Sequence, residues 1–350
     1  MKFLHIGDVH LGARPEKGTV LEAVREKEIW DTFRRAITLA VEREADFVFI
    51  TGDLFHRQPL MRELKELRYI FSQIPQTEVV IIAGNHDYLR PDSYYRTFDL
   101  GENVSVFLEE EFSYMEFPER DTYVYGMSYC KKEITEPLPK DLQPEDVEGF
   151  HILLLHGGDE KHIPFLPQEA EQCGFDYVAM GHIHKPCIFE GEWGAYAGSL
   201  EPLDVTETGQ HGCIYGEILE TGIHLSFLPL AKRSYIKLVV PITSKMVFGE
   251  IRDNVLKEIE KSGKENMFHI ILTGFSDKDV IIDKGELLSI PEVIRVEDNT
   301  EPEYDFETLL LENKNTIIGR YIQRIAMGEK TKEAKEALYY GVRAMLDRMR

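Results

Sequence analysis

The sequence is poor in cysteine and tryptophan, short of positive charge, and without long apolar runs. Its four cysteines, Cys130, Cys173, Cys187 and Cys213, lie far apart without C-x-x-C spacing. That argues against a disulfide framework or a structural zinc knot and fits a reducing compartment. No apolar stretch approaches the roughly 20 residues that a membrane-spanning helix needs. The opening Met1-Lys2-Phe3-Leu4-His5-Ile6 turns polar at Asp8, too early for a signal-peptide core. A cytoplasmic protein without a membrane partner is therefore expected. Repeats and low-complexity segments are missing as well. Only 40 Lys+Arg face 62 Asp+Glu, a formal net charge of −22. Such a balance repels polyanions, nucleic acid included, unless the charge is unevenly distributed.

What is present is an ordinary globular composition, 43% apolar and 29% charged over 350 residues, long enough for two domains. The charge is indeed uneven. Residues 1–230 carry 20 basic and 41 acidic side chains, net −21, whereas residues 231–350 carry 20 and 21, net −1. The step at Ala231-Lys232-Arg233 marks the expected boundary. Before it, short β-rich runs (Lys2 to Ile6, Phe47 to Thr51, Val79 to Ile82, Tyr123 to Tyr125, Ile152 to Leu155, Tyr177 to Met180) are interspersed with amphipathic sequence such as Leu21 to Glu42. Later runs at Cys187 to Phe189, Ala195 to Ala197, Cys213 to Leu219 and His224 to Phe227 lack helices between them. The pattern predicts an α/β (α+β) chain, a mixed-sheet sandwich flanked by helices. Residues 231–305 read as a small α+β cap and residues 306–350 as a helical segment. In the latter, Ala334, Leu338, Val342, Met345 and Met349 form a stripe at helical spacing.

Five polar clusters follow strand-like runs: Asp8-Val9-His10, Gly52-Asp53-Leu54-Phe55-His56, Gly84-Asn85-His86-Asp87, His156-Gly157-Gly158 and Gly181-His182-Ile183-His184. Open α/β sheets bind ligands beyond the carboxyl ends of their strands. Asp-x-His and His-x-His place two side chains on one side of an extended backbone, and the glycines permit close approach. Carboxylate, imidazole and amide donors together suit Mn²⁺, Fe²⁺ or Zn²⁺ better than an all-oxygen Ca²⁺ cage. There are donors enough for two ions, the usual means of activating water and stabilising both oxygens of an in-line displacement at phosphorus. Any single cluster reads equally well as turn and capping chemistry; all five in order argue for one convergent site. His5, His151, His162, His211, His224 and His269 have no such context and read as packed or surface residues.

The order D-x-H, G-D, G-N-H-D, H and G-H-x-H resembles that of the calcineurin-like binuclear metallophosphoesterases. Within them, the opening His5-Ile-Gly-Asp-Val-His-Leu-Gly12, the Gly-Asp-Leu-Phe-His extension and Tyr196-Ala-Gly-Ser-Leu-Glu-Pro-Leu-Asp204 are similar to the SbcD-type exonucleases of the double-strand-break-repair family. The resemblance covers about residues 1 to 230. It implies that Asp8, His10 and His184 hold one metal, Asn85, His156 and His182 the other, and that Asp53 bridges them. It further implies Mn²⁺ as the ion, His86 as the catalytic histidine with Asp87 fixing its tautomer, and His56 as a second phosphate-facing histidine. The activity implied is a metal-dependent DNA exonuclease with endonuclease action on single strands. Implied partners are DNA, an SMC-type ATPase of the SbcC kind docking on the terminal helices, and a second copy of the chain.

Two rival readings stay open: a phosphomonoesterase or nucleotide phosphodiesterase with a small substrate, and a non-catalytic subunit anchoring an ATPase. A nuclease needs a basic track. The candidates are Arg14, Lys17, Arg57 and Arg90 in loops after metal motifs, with Lys232 and Arg233 at the cap junction.

Overall fold

The computed structural model describes residues 1–219, 222–277, 280–327 and 331–348. It divides into two compact units: Met1–Lys237 with Ser262–His269 and Leu288–Arg295, and Leu238–Lys261 with Ile270–Leu287 and Val296–Arg350.

Two six-stranded sheets build the first unit. One runs in the order β12 (Gly222–Pro229), β11 (Gly212–Leu219), β1 (Lys2–Ile6), β2 (Phe47–Thr51), β3 (Glu78–Ile82), β4 (Val104–Val106). Strands β1 to β4 are parallel neighbours, and β11 joins β1 antiparallel. The other sheet runs β5 (Ser113–Phe117), β6 (Thr122–Gly126), β7 (Phe150–His156), β8 (Tyr177–Gly181), β10 (Gly194–Tyr196), β9 (Cys187–Ile188). Here β6, β7, β8 and β10 are parallel, with antiparallel edges.

Alternation along the strands explains the layering. In β2, Phe47 and Phe49 enter a core with Val80, Ile152, Leu154, Tyr177 and Ala179, drawn from both sheets. Val48 and Ile50 join Ile29, Phe33, Leu64 and Leu67 of helices α1 (Glu22–Glu42) and α2 (Met61–Phe71). The second sheet turns Leu153, Leu155, Val178 and Met180 to a third cluster with Ala170 of α3 (Pro167–Gln172). The result is the expected mixed-sheet sandwich between helices. Strands β4 and β5 and helix α2 lie outside the expected set. The first two are short, half-exposed edge strands with little apolar signal, and α2 is an 11-residue helix between two polar clusters.

Strands β13 (Tyr235–Ile242), β14 (Met267–Ser276) and β15 (Val293–Pro302) form a three-stranded sheet in that order. Helix α4 (Phe248–Ser262) buries Ile251, Val255 and Ile259, and the short α5 (Lys284–Leu288) buries Leu287. The last three helices, α6 (Phe306–Glu312), α7 (Ile317–Ala326) and α8 (Lys332–Asp347), start at Asp305, Thr316 and Thr331, whose side chains accept N–H groups of the first turn. Val342 of the α8 stripe packs with Ile318 and Ile322 of α7, with Leu338 and Met345 beside them. The stripe is the internal seam of the helical cluster, because period-3.6 apolar spacing looks the same whichever partner buries it. Met349 lies outside the described residues. No helix among the described residues is long and apolar enough to cross a membrane.

Candidate metal centre

Strands β1, β2 and β3 of one sheet and β7 and β8 of the other each end in one of the five clusters. Backbone bonds lock the neighbouring loops together: the His10 N–H donates to the Asp53 carbonyl at 2.9 Å and the Leu11 N–H to that of Leu54 at 2.8 Å. Asp8, His10, Asp53 and His182 all have positive φ, at 48°, 52°, 48° and 89°. The Asp-x-His and His-x-His segments are therefore not extended, contrary to expectation; tight left-handed turns aim these side chains, at a conformational cost typical of functional sites. Two glycines make the convergence feasible. A Cβ on Gly52 would collide with the His156 ring, and one on Gly84 with the Asp53 carboxylate.

Asp53 sits at the middle. Its Oδ2 lies 3.7 Å from His10 Nε2 and 3.6 Å from His156 Nε2, while its Oδ1 accepts the His86 N–H at 2.8 Å. On one side, His10 Nε2 is 3.1 Å from His184 Nε2, and the latter is 3.9 Å from Asp8 Oδ1. On the other, His156 Nε2 is 2.9 Å from Asn85 Oδ1. His156 Nδ1 donates to the Thr51 carbonyl at 2.8 Å, so its Nε2 carries a lone pair that faces a second acceptor. Lone pairs facing each other across such distances are reconciled by a cation between them.

Electrostatics agree. Asp8 and Asp53 are buried, and burial pushes both carboxyls up, Asp8 to about 7. Burial, reinforced by the imidazoles of His184 and His86, lowers His10 well below the usual histidine range. Burial also lowers His156 to about 3 and His182 to about 4. For His184, burial is outweighed by its hydrogen bond to Glu207 and by the charges of Asp8 and Glu207, which hold it up at about 9. Imidazoles held neutral at His10, His156 and His182, beside carboxylates that resist ionising alone, are what divalent cations need and repay, and an ion at His184 would displace its proton. The donor set thus fits two such ions.

His86 and His56 are exposed at the rim, stacked with ring centroids 5.0 Å apart. His86 Nδ1 donates to the His56 carbonyl at 3.2 Å, and His56 Nδ1 is 3.3 Å from His10 Nδ1. The role expected of Asp87 is corrected. It is fully buried, its Oδ1 accepting Gly84 N–H and its Oδ2 accepting Phe55 N–H and Tyr95 O–H. It braces the loop, while the His56 carbonyl fixes the His86 tautomer.

Two hollows flank the His56–His86 pair. One, about 380 Å³, is lined by Arg14, Lys17, Glu26, His56 and Arg57 among others. The other, about 420 Å³, is lined by His56, Arg57, Asn85, His86, Tyr88, Lys132, Glu133 and His162 among others. Arg14 pairs with Glu26 at 2.8 Å and Arg57 with Glu63 at 2.7 Å, both arginines remaining partly exposed. Arg90 pairs with Asp92 and lines neither hollow. Lys232 lies 3.6 Å from Asp31. Arg233 grips Glu28 through Nε and Nη2 and gives Nη1 to the Glu265 carbonyl. That removes Arg233 from the candidate track, because its donors are spent inside the fold.

Sequence reasoning missed Asp159, Glu207, His162 and Lys132. His162, expected to be packed or surface-lying without a role, stands with its ring centroid 4.4 Å from that of His182. Asp159 follows His156-Gly157-Gly158 directly, the only signal that marks it; one acid among 62 does not stand out.

A family model described as calcineurin-like phosphoesterase matches residues 1–186. The chain is 25% identical over 329 residues to the uncharacterized metallophosphoesterase YhaO of Bacillus subtilis, spanning 87% of this chain and 79% of that protein. It is 28% identical over 310 residues to the DNA double-strand break repair protein Mre11 of Archaeoglobus fulgidus, spanning 81% and 67%. To Mre11 of Sulfurisphaera tokodaii it is 29% identical over 312 residues, spanning 79% and 74%. Among solved structures, a dimetal phosphatase from Danio rerio matches with a TM-score of 0.38 at 14% identity, covering 63% of this chain and 93% of that one.

Proposed function

The chain belongs to the calcineurin-like phosphoesterase family, and from that premise we propose that it is a metal-dependent phosphodiesterase that degrades DNA from its ends and cleaves single strands internally. The observation that carries the choice of DNA is the pair of hollows on either side of His56 and His86, where Arg14, Lys17, Arg57 and Lys132 gather although the chain as a whole has a net charge of −22. The likeness to Mre11 proteins over more than 300 residues supports the same reading.

In this reading Asp8, His10 and His184 would hold one divalent ion and Asn85, His156 and His182 a second, Asp53 would serve both, and Mn²⁺ would be the ion. Two such ions supply the Lewis acidity that lets water attack phosphorus near neutral pH and that offsets charge on the phosphoryl oxygens. The chain's own groups do the rest. His86, its Nδ1 tied to the His56 carbonyl, presents Nε2 to the departing sugar oxygen; as the imidazolium, with a proton on each nitrogen, it gives that oxygen the Nε2 proton and keeps the one on Nδ1. His56, stacked on His86, faces the phosphate. Arg14, Lys17 and Arg57 on one side and Lys132 on the other hold the backbone of the nucleic acid in register. Residues 231–305 contribute further DNA contacts. Residues 306–350 dock an SMC-type ATPase through apolar side chains the helices leave exposed, such as Leu311, Ile317 and Tyr340. A second copy of the chain completes the assembly.

End-labelled duplex and single-stranded DNA, offered with Mn²⁺, Mg²⁺ or Zn²⁺ beside bis-p-nitrophenyl phosphate, test this. The expected result is degradation of both DNA forms with Mn²⁺, lost in Asp53→Ala. Hydrolysis of the small diester with DNA left intact would favour a nucleotide phosphodiesterase instead, the reading to which the −22 net charge points.

A further inference from the structure

The two histidines of the Gly181-His182-Ile183-His184 segment each touch a carboxylate that belongs to none of the five clusters. His184 Nδ1 is 2.8 Å from Glu207 Oε1. Glu207 is not free to turn away: its Oε2 accepts Ser199 O–H at 3.0 Å and Leu203 N–H at 3.1 Å, and its side chain is 14% exposed. His182 is held from the opposite nitrogen, its Nε2 lying 2.7 Å from Asp159 Oδ2. Asp159 in turn accepts the backbone N–H groups of Lys161 and His162 at 2.8 and 3.0 Å, and its Oδ1 lies 2.8 Å from His162 Nδ1. An imidazole whose one nitrogen donates to a carboxylate has its lone pair fixed on the other nitrogen and its ring locked in orientation.

We propose that Glu207 and Asp159 are positioning residues for a two-ion centre, one for each ion, and that they make the paired histidines bind in opposite senses, His184 through Nε2 and His182 through Nδ1. The proposal rests on the two-ion reading above and deepens it. The supports are unequal. Glu207 is enclosed and triply bonded. Asp159 is 46% exposed on its loop and shares its oxygens with His162, which lines the hollow beside His86. The ion on the His182 side is therefore the more readily lost and exchanged.

Calorimetric titration of the metal-free chain with Mn²⁺, paired with Mn²⁺ electron paramagnetic resonance, tests it. The wild type is expected to take up two ions and to show a spin-coupled spectrum. Glu207→Ala and Asp159→Ala should each weaken one ion by roughly 10–100-fold and leave the other unchanged, giving an uncoupled six-line signal at one equivalent. Glu207→Gln, which keeps an acceptor for Nδ1, should restore most of the loss. A purely structural role would lower the melting temperature of the metal-free protein and leave both affinities as they were, and that result overturns the proposal. So does weakening of both ions together in either variant, or uptake of three ions, which would make Asp159, His162 and His182 a metal site themselves. If Glu207→Ala fails to fold, Asp159→Ala, on an exposed loop, decides alone. A wild type that binds no Mn²⁺ defeats the two-ion reading itself, which is a separate outcome.

Discussion

Single buried histidines give the fold a pH dependence that can be assigned. His5 lies wholly buried, its ring nitrogens 2.8 Å from the Tyr177 hydroxyl and 3.1 Å from the Thr51 hydroxyl. Burial lowers it to about 3 against an ordinary 6.5. Below pH 6.5 the unfolded chain takes up a proton that the folded chain refuses. The contribution of His5 is therefore complete above pH 6.5 and lost as pH falls toward 3, at about 1.4 kcal/mol per pH unit. His10, His156 and His182, also lowered, act in the same direction in the metal-free protein. Urea unfolding of metal-free protein at pH 6.5, 5.5 and 4.5 should show a slope shallower by about one proton in His5→Gln than in the wild type; equal slopes would exclude His5 as a contributor. At this scale the sequence was informative where a residue type is rare. The five clusters put Asp8, His10, Asp53, Asn85, His156 and His184 in reach of one another, as their spacing suggested. It was uninformative where the type is common: Asp159 and Glu207 were hidden among many acids, and the bond partners of Asp87 depend on a tertiary arrangement that no local pattern encodes.

Elements are tied together by a buried charge network whose removal has a calculable sign. Arg25 of α1 is fully buried, with Nη1 2.9 Å from both Glu28 and Glu201 and Nη2 donating to the Pro202 carbonyl. Glu201 also accepts the Thr32 hydroxyl and the Lys232 N–H, and Glu28 takes the Arg233 fork. Helix α1 is thereby fixed to the segments around residues 201 and 233. Arg25→Ala leaves Glu201 buried without its cation, a loss of about 3–5 kcal/mol for a broken buried pair. Equilibrium unfolding in urea measures it, and a loss under 1 kcal/mol would mean that the network carries little of the stability. The central strands were legible because each is a short apolar run closed by a polar cluster. Helix α2 and strands β4 and β5 were not, since edge strands lack the alternation that marks a half-buried sheet. The α8 stripe was legible as a buried face but not in its partner, which is α7.

Over the whole molecule the question is how a chain of net charge −22 could take DNA. The excess is not uniform: residues 131–220 hold 5 basic and 18 acidic side chains, and of those five only Lys132 lines a hollow beside the centre. Lys17 and Lys132, on opposite sides of the His56–His86 pair, are the residues of the proposed track that form no ion pair among the described residues. Charge reversal at either should weaken DNA binding and flatten its salt dependence by about one phosphate contact each, with hydrolysis of bis-p-nitrophenyl phosphate unchanged. Fluorescence anisotropy of labelled DNA between 50 and 200 mM salt, roughly the range over which such contacts are read, checks this. Unaltered slopes would move the DNA path elsewhere.

In the proposed function the five convergent clusters form one centre, shared through Asp53, that hydrolyses DNA phosphodiesters. Release of label from end-labelled duplex DNA with Mn²⁺, comparing wild type with a folded Asp53→Ala variant, tests it most directly. Progressive release is expected from the wild type and at least a hundred-fold slower release from the variant, on the order of the loss seen when charge stabilisation at the reacting centre is removed. Equal rates for the two proteins, or no release by either, would contradict it.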